Sequence, residues 1–394
     1  MILCKVQKGG TNETVRKLVP EKAFFCFKLG KIWSFKYLNG YFVSKKANPK
    51  CPVCGSNKTI KKGSRNGLKR YLCKKQGHSF TKDYRPKKGP LWVRYIDGTP
   101  FRKLADQNGL SHGHVHDLVK AEMDSLPDNT WITKNYCNKW SGRLVVDGKY
   151  VKVKGYEKKI PFIYCIDYLT HDIPVGVLAP SENGESFRKL FRLLKTCHYP
   201  LQIVIADQVS SLRQGLKQHY LTVPIQMCHT HYLENIRQQL SIRTDETYRQ
   251  FFFRLSGAFG LDVSKRRRDQ ILWGIHHRYK NDPVLNAIIL DIHINYDNLF
   301  AFTYRKNKCP NSTNLIECYN SHLQGRLKTI KGFQTFKSAE RFLNAWMIRR
   351  RTKPFTDCAN PFKHLNGKTF LQMSIKKQAN WPSILGVQAP DSER

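Results

Sequence analysis

"RLVVDGKYVKVKG", residues 143–155, decides how the chain is read. An apolar run ends on a lone carboxylate, Asp147, and a Gly-Lys pair precedes an alternating stretch, so "RLVVD" and "YVKVKG" predict a β-hairpin with Asp147 at a strand end. A single acid there is as readily a turn former as anything else. Its meaning depends on what the rest of the chain brings beside it. Downstream, "IPFIYCIDYLTHDIPVGVLAP" reads as a third strand with its return and "GESFRKLFRLLKTCH" as an amphipathic helix. "LQIVIAD" follows as a buried strand, "SSLRQGLKQHY" as a helix, "VPIQMC" as a strand and "HTHYLENIRQQL" as a helix. The expected order is β-β-β-α-β-α-β-α. Strand signals then vanish from about 241 to 305, where the pattern is helical, and "TNLIECYNSHLQGRLKTI" opens a further helix capped by Thr313 or Asn314.

Two other acids share the setting of Asp147. Asp207 ends "LQIVIAD", and Glu317 sits in the first turn of the helix opening at "STNLIECYN". If the two strands are neighbours, their carboxylates emerge together and a helix across that edge can deliver the third. Three carboxylates suit a hard, oxygen-seeking cation, Mg²⁺ or Mn²⁺, and such ions activate an attacking water or hydroxyl in phosphodiester transfer. Rival acids rank lower: Asp167 is expected in mid-strand, Asp172 in a turn, and Glu185 and Glu234 on helix surfaces. Trp273 in the helical stretch is expected in a core.

The N-terminal part suggests a partner. Lys plus Arg number 68 against 29 Asp plus Glu, a net charge of +39, which favours polyanions. Residues 1–90 hold 23 basic and 3 acidic side chains, a balance of +20, and the chain from Ser321 onward adds 14 against 4, or +10. Residues 91–140 balance at zero. In "CPVCGSNKTIKKGSRNGLKRYLCKKQGHSF", residues 51–80, Cys51 and Cys54 have knuckle spacing for Zn²⁺, with Cys73 and His78 completing the set because Gln76 stands where a second Cys-x-x-Cys would close. The alternative is a small hairpin with free thiols. Arg65, Lys69, Arg70, Lys74 and Lys75 are its DNA-facing charges. Next, "TPFRKLADQNGLSHGHVHDLVKAEM" reads as two short helices about an Asn108-Gly109 turn, the second capped by Ser111. That is helix-turn-helix spacing, with Ser111, His112, His114, His116 and Lys120 toward a groove; an ordinary helical hairpin is the alternative. No stretch approaches the roughly 18 apolar residues of a membrane span, and "MILCKVQKGG" lacks a signal-peptide core, so a cytoplasmic, nucleoid-associated protein with double-stranded DNA as partner is expected.

Taken together, "VVDGKY", "IVIADQ", "CHTHYLENIRQQL" and "STNLIECYNSHLQGRLKTIKGF" resemble the DDE transposases, in particular the Mutator-like superfamily of bacterial insertion-sequence enzymes, from about Gly142 to Lys337. The resemblance implies an α/β fold with a ribonuclease-H-like core and an all-α insertion. It implies that Asp147, Asp207 and Glu317 bind Mg²⁺, and that Cys228 and His231 are an accessory pair beside the scissile phosphate. A second zinc site is the alternative for that pair. The expected organisation is a basic segment 1–48, a zinc-ribbon-like module 49–90, a helix-turn-helix 91–141, a first core part 142–240, the insertion 241–308, a last core part with the Glu helix 309–350, and a basic tail 351–394. The implied activity is cleavage of element ends and strand transfer to target DNA by a homodimer or higher oligomer. The other readings are a DNA-binding regulator, and a nuclease of the same fold without strand transfer.

Overall fold

The structure is a computed structural model that describes residues 36–38, 41–43, 48–65, 68–81, 90–207, 209–304 and 309–376. Most of the basic segment 1–48 and the end of the tail, 377–394, therefore lie outside the described residues. The chain divides into two compact units, residues 1–87 and 88–394.

In the first unit β1 (Lys36–Leu38) and β2 (Tyr41–Val43) pair antiparallel. β3 (Thr59–Arg65), β4 (Leu68–Cys73) and β5 (Ser79–Thr81) form an antiparallel sheet in that order. Two similar turns flank it. The Gly55 amide donates to the Cys51 carbonyl and the Cys51 amide to the Ser56 carbonyl; the Gly77 amide donates to the Cys73 carbonyl and the Cys73 amide to the His78 carbonyl, at 2.9–3.0 Å throughout. Gly55 (φ 66°) and Gly77 (φ 64°) take the left-handed conformation that each turn needs.

The second unit opens with α1 (Leu91–Ile96), α2 (Phe101–Asn108) and α3 (His112–Asp124). As the sequence predicts, the Asn108-Gly109 turn separates α2 from α3, with Gly109 at φ 65°, and Ser111 caps α3 by accepting from the His114 amide. Trp92, Ile96, Leu104, Val115 and Val119 are buried between these helices and the core that follows. After α4 (Asn129–Tyr136) come β6 (Arg143–Val151), β7 (Ile160–Asp167), β8 (Gly176–Leu178), α5 (Gly184–Thr196), β9 (Ile203–Ala206), α6 (Val209–Lys217), β10 (Ile225–Met227) and α7 (His229–Gln239). The order is the expected one, but the strands are divided differently. Residues 143–151 make one strand, not two: Gly148 pairs with Ile163 inside an unbroken antiparallel register running from Leu144↔Asp167 to Val151↔Ile160. The Gly-Lys pair is no turn, because β7 offers a partner along its whole length. A Cβ at Gly148 would lie 3.3 Å from Glu182 Oε2, which explains why glycine fits there.

The sheet order is β10-β9-β6-β7-β8, with β6, β7 and β8 antiparallel and β6, β9 and β10 parallel. Strand alternation splits its side chains between two cores. Leu144, Val146, Ile163 and Val204 meet Leu190, Leu194 and Leu212 of α5 and α6. Val145, Val151, Ile203 and Ile205 meet Ile316, Leu323, Leu343 and Trp346 of two later helices, α12 (Asn314–Ile330) and α13 (Phe336–Thr352). Between these parts of the chain, α8 (Arg249–Ser256), α9 (Lys265–Tyr279), α10 (Pro283–Ile294) and α11 (Tyr296–Leu299) build a separate core around Phe251, Leu255, Leu272, Ile275, Leu285 and Ile288. Tyr232, Ile236 and Leu240 belong to that core, so α7 already supplies part of the helical insertion expected to start at 241. Trp273 is not in it: the indole is 69% exposed and stacks on His277. The expected tail beginning at 351 is folded through residue 376. Arg351 is fully buried, paired with Asp172 at 2.8 Å, and α14 (Phe370–Ser374) adds the Ser374 hydroxyl to the same carboxylate. Losing one partner of a buried pair of this kind costs about 3–5 kcal/mol.

Candidate active site

The parallel register of β6 and β9 sets Leu144 beside Val204 and Val145 beside Ile205; carried two residues further, it sets Asp147 beside Asp207. Both acids fall in the strand phase of Val145 and Ile205, the face on which α12 packs. Asp147 lies where β9 has ended and β6 continues, so it is mid-strand and not terminal as the sequence suggested. Asn320 of α12 donates to Asp147 Oδ2 at 2.5 Å, the Gly148 amide donates to Oδ1 at 2.7 Å, and Tyr164 holds Asn320 from behind, its hydroxyl donating to Asn320 Oδ1 at 2.9 Å. Helix and strand are thereby tied at the carboxylate. Burial, then the adjacent Asp207 charge, push the Asp147 carboxyl up to about 7; the Gly148 amide and His231 pull the other way.

Glu317 lies one turn before Asn320. Around it gather Cys228, which caps α7, and His231 in the first turn of α7: the ligand atoms of Cys228, His231 and Glu317 lie within 4.8 Å of one another. His231 Nδ1 is 3.9 Å from Glu317 Oε1, and both side chains are about two-fifths exposed, whereas Cys228 is buried. Thr313 is the N-cap of α12, as expected, yet its side chain makes no capping bond; its hydroxyl is 2.9 Å from Glu317 Oε1. Sequence reasoning missed Glu182, a partly buried fourth acid that accepts from the Tyr150 hydroxyl at 2.7 Å and whose carboxyl burial pushes up. It also missed Asn320. The spacing Thr313, Glu317, Asn320, which is i, i+4, i+7 on one helix face, was a signal available for the last.

The rival acids have other duties. Asp167 is fully buried at the end of β7 rather than in mid-strand, and accepts from Ser141, Thr170 and the Tyr199 hydroxyl. Asp172 pairs with Arg351, Glu234 with Arg237 and Arg243, and Glu185 with Arg188.

In the first unit Cys51, Cys54 and Cys73 bring their sulfurs within 4.8 Å of one another. Burial raises the Cys51 thiol, but the Cys54 and Val53 amides and the neighbouring sulfurs outweigh it and hold it below its ordinary value. His78 does not join the cluster as expected. It occupies the place that Ser56 holds in the first turn, so its backbone carbonyl faces Cys73 while its ring stacks on Phe80. Gln76, exposed, holds the position equivalent to Cys54. Lys69, Lys74 and Lys75 are exposed and Arg70 is half-buried; the side chain of Arg65 lies outside the described residues. On α3, His112, His114, His116 and Lys120 are exposed, and Ser111 spends its oxygen on the cap. No helix among the described residues is long and apolar enough to cross a membrane.

Residues 129–352, more than half of the chain, match the family described as "Transposase, Mutator family". Over 268 residues the chain is 23% identical to the transposase for insertion sequence element IS256 in transposon Tn4001 of Staphylococcus aureus, which covers 64% of this chain and 67% of that protein. The counterpart from Enterococcus faecalis (strain ATCC 700802 / V583) matches to the same extent. The family match runs through the sheet, the helical insertion and the helix carrying Glu317 alike, and the chain belongs to the Mutator family of transposases.

Proposed function

We propose that this DNA transposase grips the ends of a mobile element with its N-terminal modules and cuts and joins strands at Asp147, Asp207 and Glu317. The observation that carries the proposal is the register that sets Asp147 beside Asp207, together with the Asn320–Asp147 bond that brings the helix of Glu317 to the same place. The strand order β10-β9-β6-β7-β8, three antiparallel strands continued by two parallel ones, supports a ribonuclease-H-like core interrupted by an all-α insertion.

The donor set fits Mg²⁺ or Mn²⁺. Burial, then the neighbouring Asp207 charge, raise the Asp147 carboxyl, and a divalent cation on oxygen ligands would relieve both. A cation held by these carboxylates would supply Lewis-acid activation of a water or 3′-hydroxyl and charge stabilisation for a leaving oxygen. The chain orients. Gly148 and Asn320 fix the Asp147 carboxylate, and His231, two-fifths exposed beside Glu317, would donate to a phosphate oxygen. Cleavage and strand transfer would use the same carboxylates in turn.

Cys51, Cys54 and Cys73 would hold Zn²⁺ in a ribbon whose Lys69, Arg70, Lys74 and Lys75, with Arg65, contact phosphates, while α2 and α3 act as a helix-turn-helix with His112, His114 and Lys120 toward a groove. Bringing two ends together calls for at least a homodimer, acting on the nucleoid in the cytoplasm. The test is cleavage of an end-bearing duplex in Mg²⁺, with a parallel binding assay. Asp147→Asn, Asp207→Asn and Glu317→Gln should each lose several orders of magnitude in cleavage and keep end binding; Glu234→Gln, a surface acid, should keep both. Full cleavage by all three would remove the carboxylate site.

A further inference from the structure

Thr313 begins α12 but does not behave as four other polar N-caps among the described residues do. Ser111, Asp128, Thr335 and Thr369 each accept from an amide of the helix they open. Thr313 has φ −89° and ψ 11°, not the extended backbone of those four, and its side chain accepts from no helix amide. Its hydroxyl is buried among three groups: Glu317 Oε1 at 2.9 Å, Cys228 Sγ at 3.2 Å and His231 Nδ1 at 3.3 Å. Its amide donates to the same sulfur at 3.3 Å.

A hydroxyl has one proton to give and lone pairs to receive. The carboxylate, shortest and charged, is the strongest claimant for the proton. The oxygen is then left to accept from His231 Nδ1–H, while the sulfur is served by the Thr313 amide. Cys228, His231 and Glu317 have the mutual spacing of metal ligands, and the Thr313 hydroxyl lies within hydrogen-bond distance of all three.

We propose that Thr313 is a positioning residue of the transposition reaction, a one-atom link that orients the Glu317 carboxylate and fixes the ring of His231 with Nδ1 inward and Nε2 toward the exposed side. This rests on the reading of Glu317 as a cation ligand. Cys228 acts one step further back: it receives the Thr313 amide and so holds the residue at the helix start. A buried threonine that merely filled space would tolerate the isosteric Thr313→Val.

The experiment compares the full-length wild type with Thr313→Val, Thr313→Ser and Glu317→Gln, measuring cleavage of an end duplex across a Mg²⁺ titration, end binding and thermal melting. Groups that hold a metal ligand in place typically cost about tenfold to a hundredfold when removed. Thr313→Val should lose cleavage on that scale and need more Mg²⁺ for half its maximal rate, with end binding unchanged, and Thr313→Ser should recover most of the loss. Wild-type cleavage by Thr313→Val beside an inactive Glu317→Gln overturns the positioning role and leaves the cation reading standing. Full cleavage by Glu317→Gln overturns the cation reading itself and the inference with it. Equal loss in the valine and serine variants also overturns it, since the hydroxyl would not be what matters. Should the valine variant not fold, the wild type still decides. Its ¹⁵N-histidine spectrum, with His231 assigned by His231→Gln, should show neutral His231 protonated on Nδ1; protonation on Nε2 overturns the link.

Discussion

Asp147 is pulled in two directions by its surroundings, and the balance is measurable. Its carboxyl rises from the ordinary 3.8 to about 7 because burial and the Asp207 charge oppose ionisation. Between those values the folded protein holds a proton that the unfolded chain has released, so the stability owed to this group falls as pH rises from about 4 to about 7 and stays low above. A divalent cation reverses that loss only where the proton has gone. Added Mg²⁺ should therefore raise the melting temperature more at pH 8 than at pH 6, and Asp147→Asn should flatten the difference; equal shifts at both pH values in the wild type would contradict the account. At this scale much of the candidate site is legible: apolar runs and a helix start single out Asp147, Asp207 and Glu317. Glu182 is not, because a loop acid gains meaning only when β6 is beside it, whereas Asn320 is signalled only by its place on the helix face of Glu317. Asp167, ranked a rival, is a buried acceptor for three neighbouring side chains, so an amide variant there would test folding rather than catalysis.

Elements were legible where the signal was periodic and misread where it was a local turn signal. The apolar spacing of α2, α3 and α5 reports burial directly, and the helices lie where it puts them. Gly148-Lys149 has the composition of a turn, yet eight consecutive pairings with β7 outweigh it. The cysteine turns of the first unit show the same limit. The sequence offers His78 because it follows Cys73 at workable spacing, but the second turn repeats both of these backbone bonds of the first, which puts residue 76 in the place of Cys54. The geometry therefore predicts that Gln76→Cys completes a tetrahedral set and tightens Zn²⁺ binding by roughly tenfold or more, whereas Cys51→Ser releases the metal and unfolds the segment. Metal content after dialysis against graded chelator checks both; an unchanged affinity in Gln76→Cys would mean that the two turns do not face one ion.

Across the second unit, two acids of residues 91–140, Asp97 and Asp124, are used in docking. Asp97 receives the Arg349 guanidinium at 2.6 and 2.9 Å, Asp124 receives Arg341, and Arg326 donates to the Tyr95 carbonyl at 2.7 Å. These contacts pin α1–α3 onto α12 and α13, so the helices expected to read DNA share one body with the carboxylates expected to cut it. The largest single excess of positive charge lies in residues 1–90, with their balance of +20, and that division along the sequence predicts two independent failures. Binding of an end duplex should weaken with salt at a log-log slope near −0.9 per neutralised phosphate. Replacing Lys74 and Lys75 together by Glu should make that slope shallower by up to two such steps and weaken binding alike on every sequence, because phosphate contacts carry no base information. At saturating DNA its cleavage rate should equal that of the wild type. Glu317→Gln should do the reverse, keeping the slope and losing the rate. Titrating both variants against salt and against DNA separates the two; a lysine variant that kept the wild-type slope would move the phosphate contacts out of the ribbon, and one whose saturated rate also collapsed would tie the ribbon to the chemistry rather than to the grip alone.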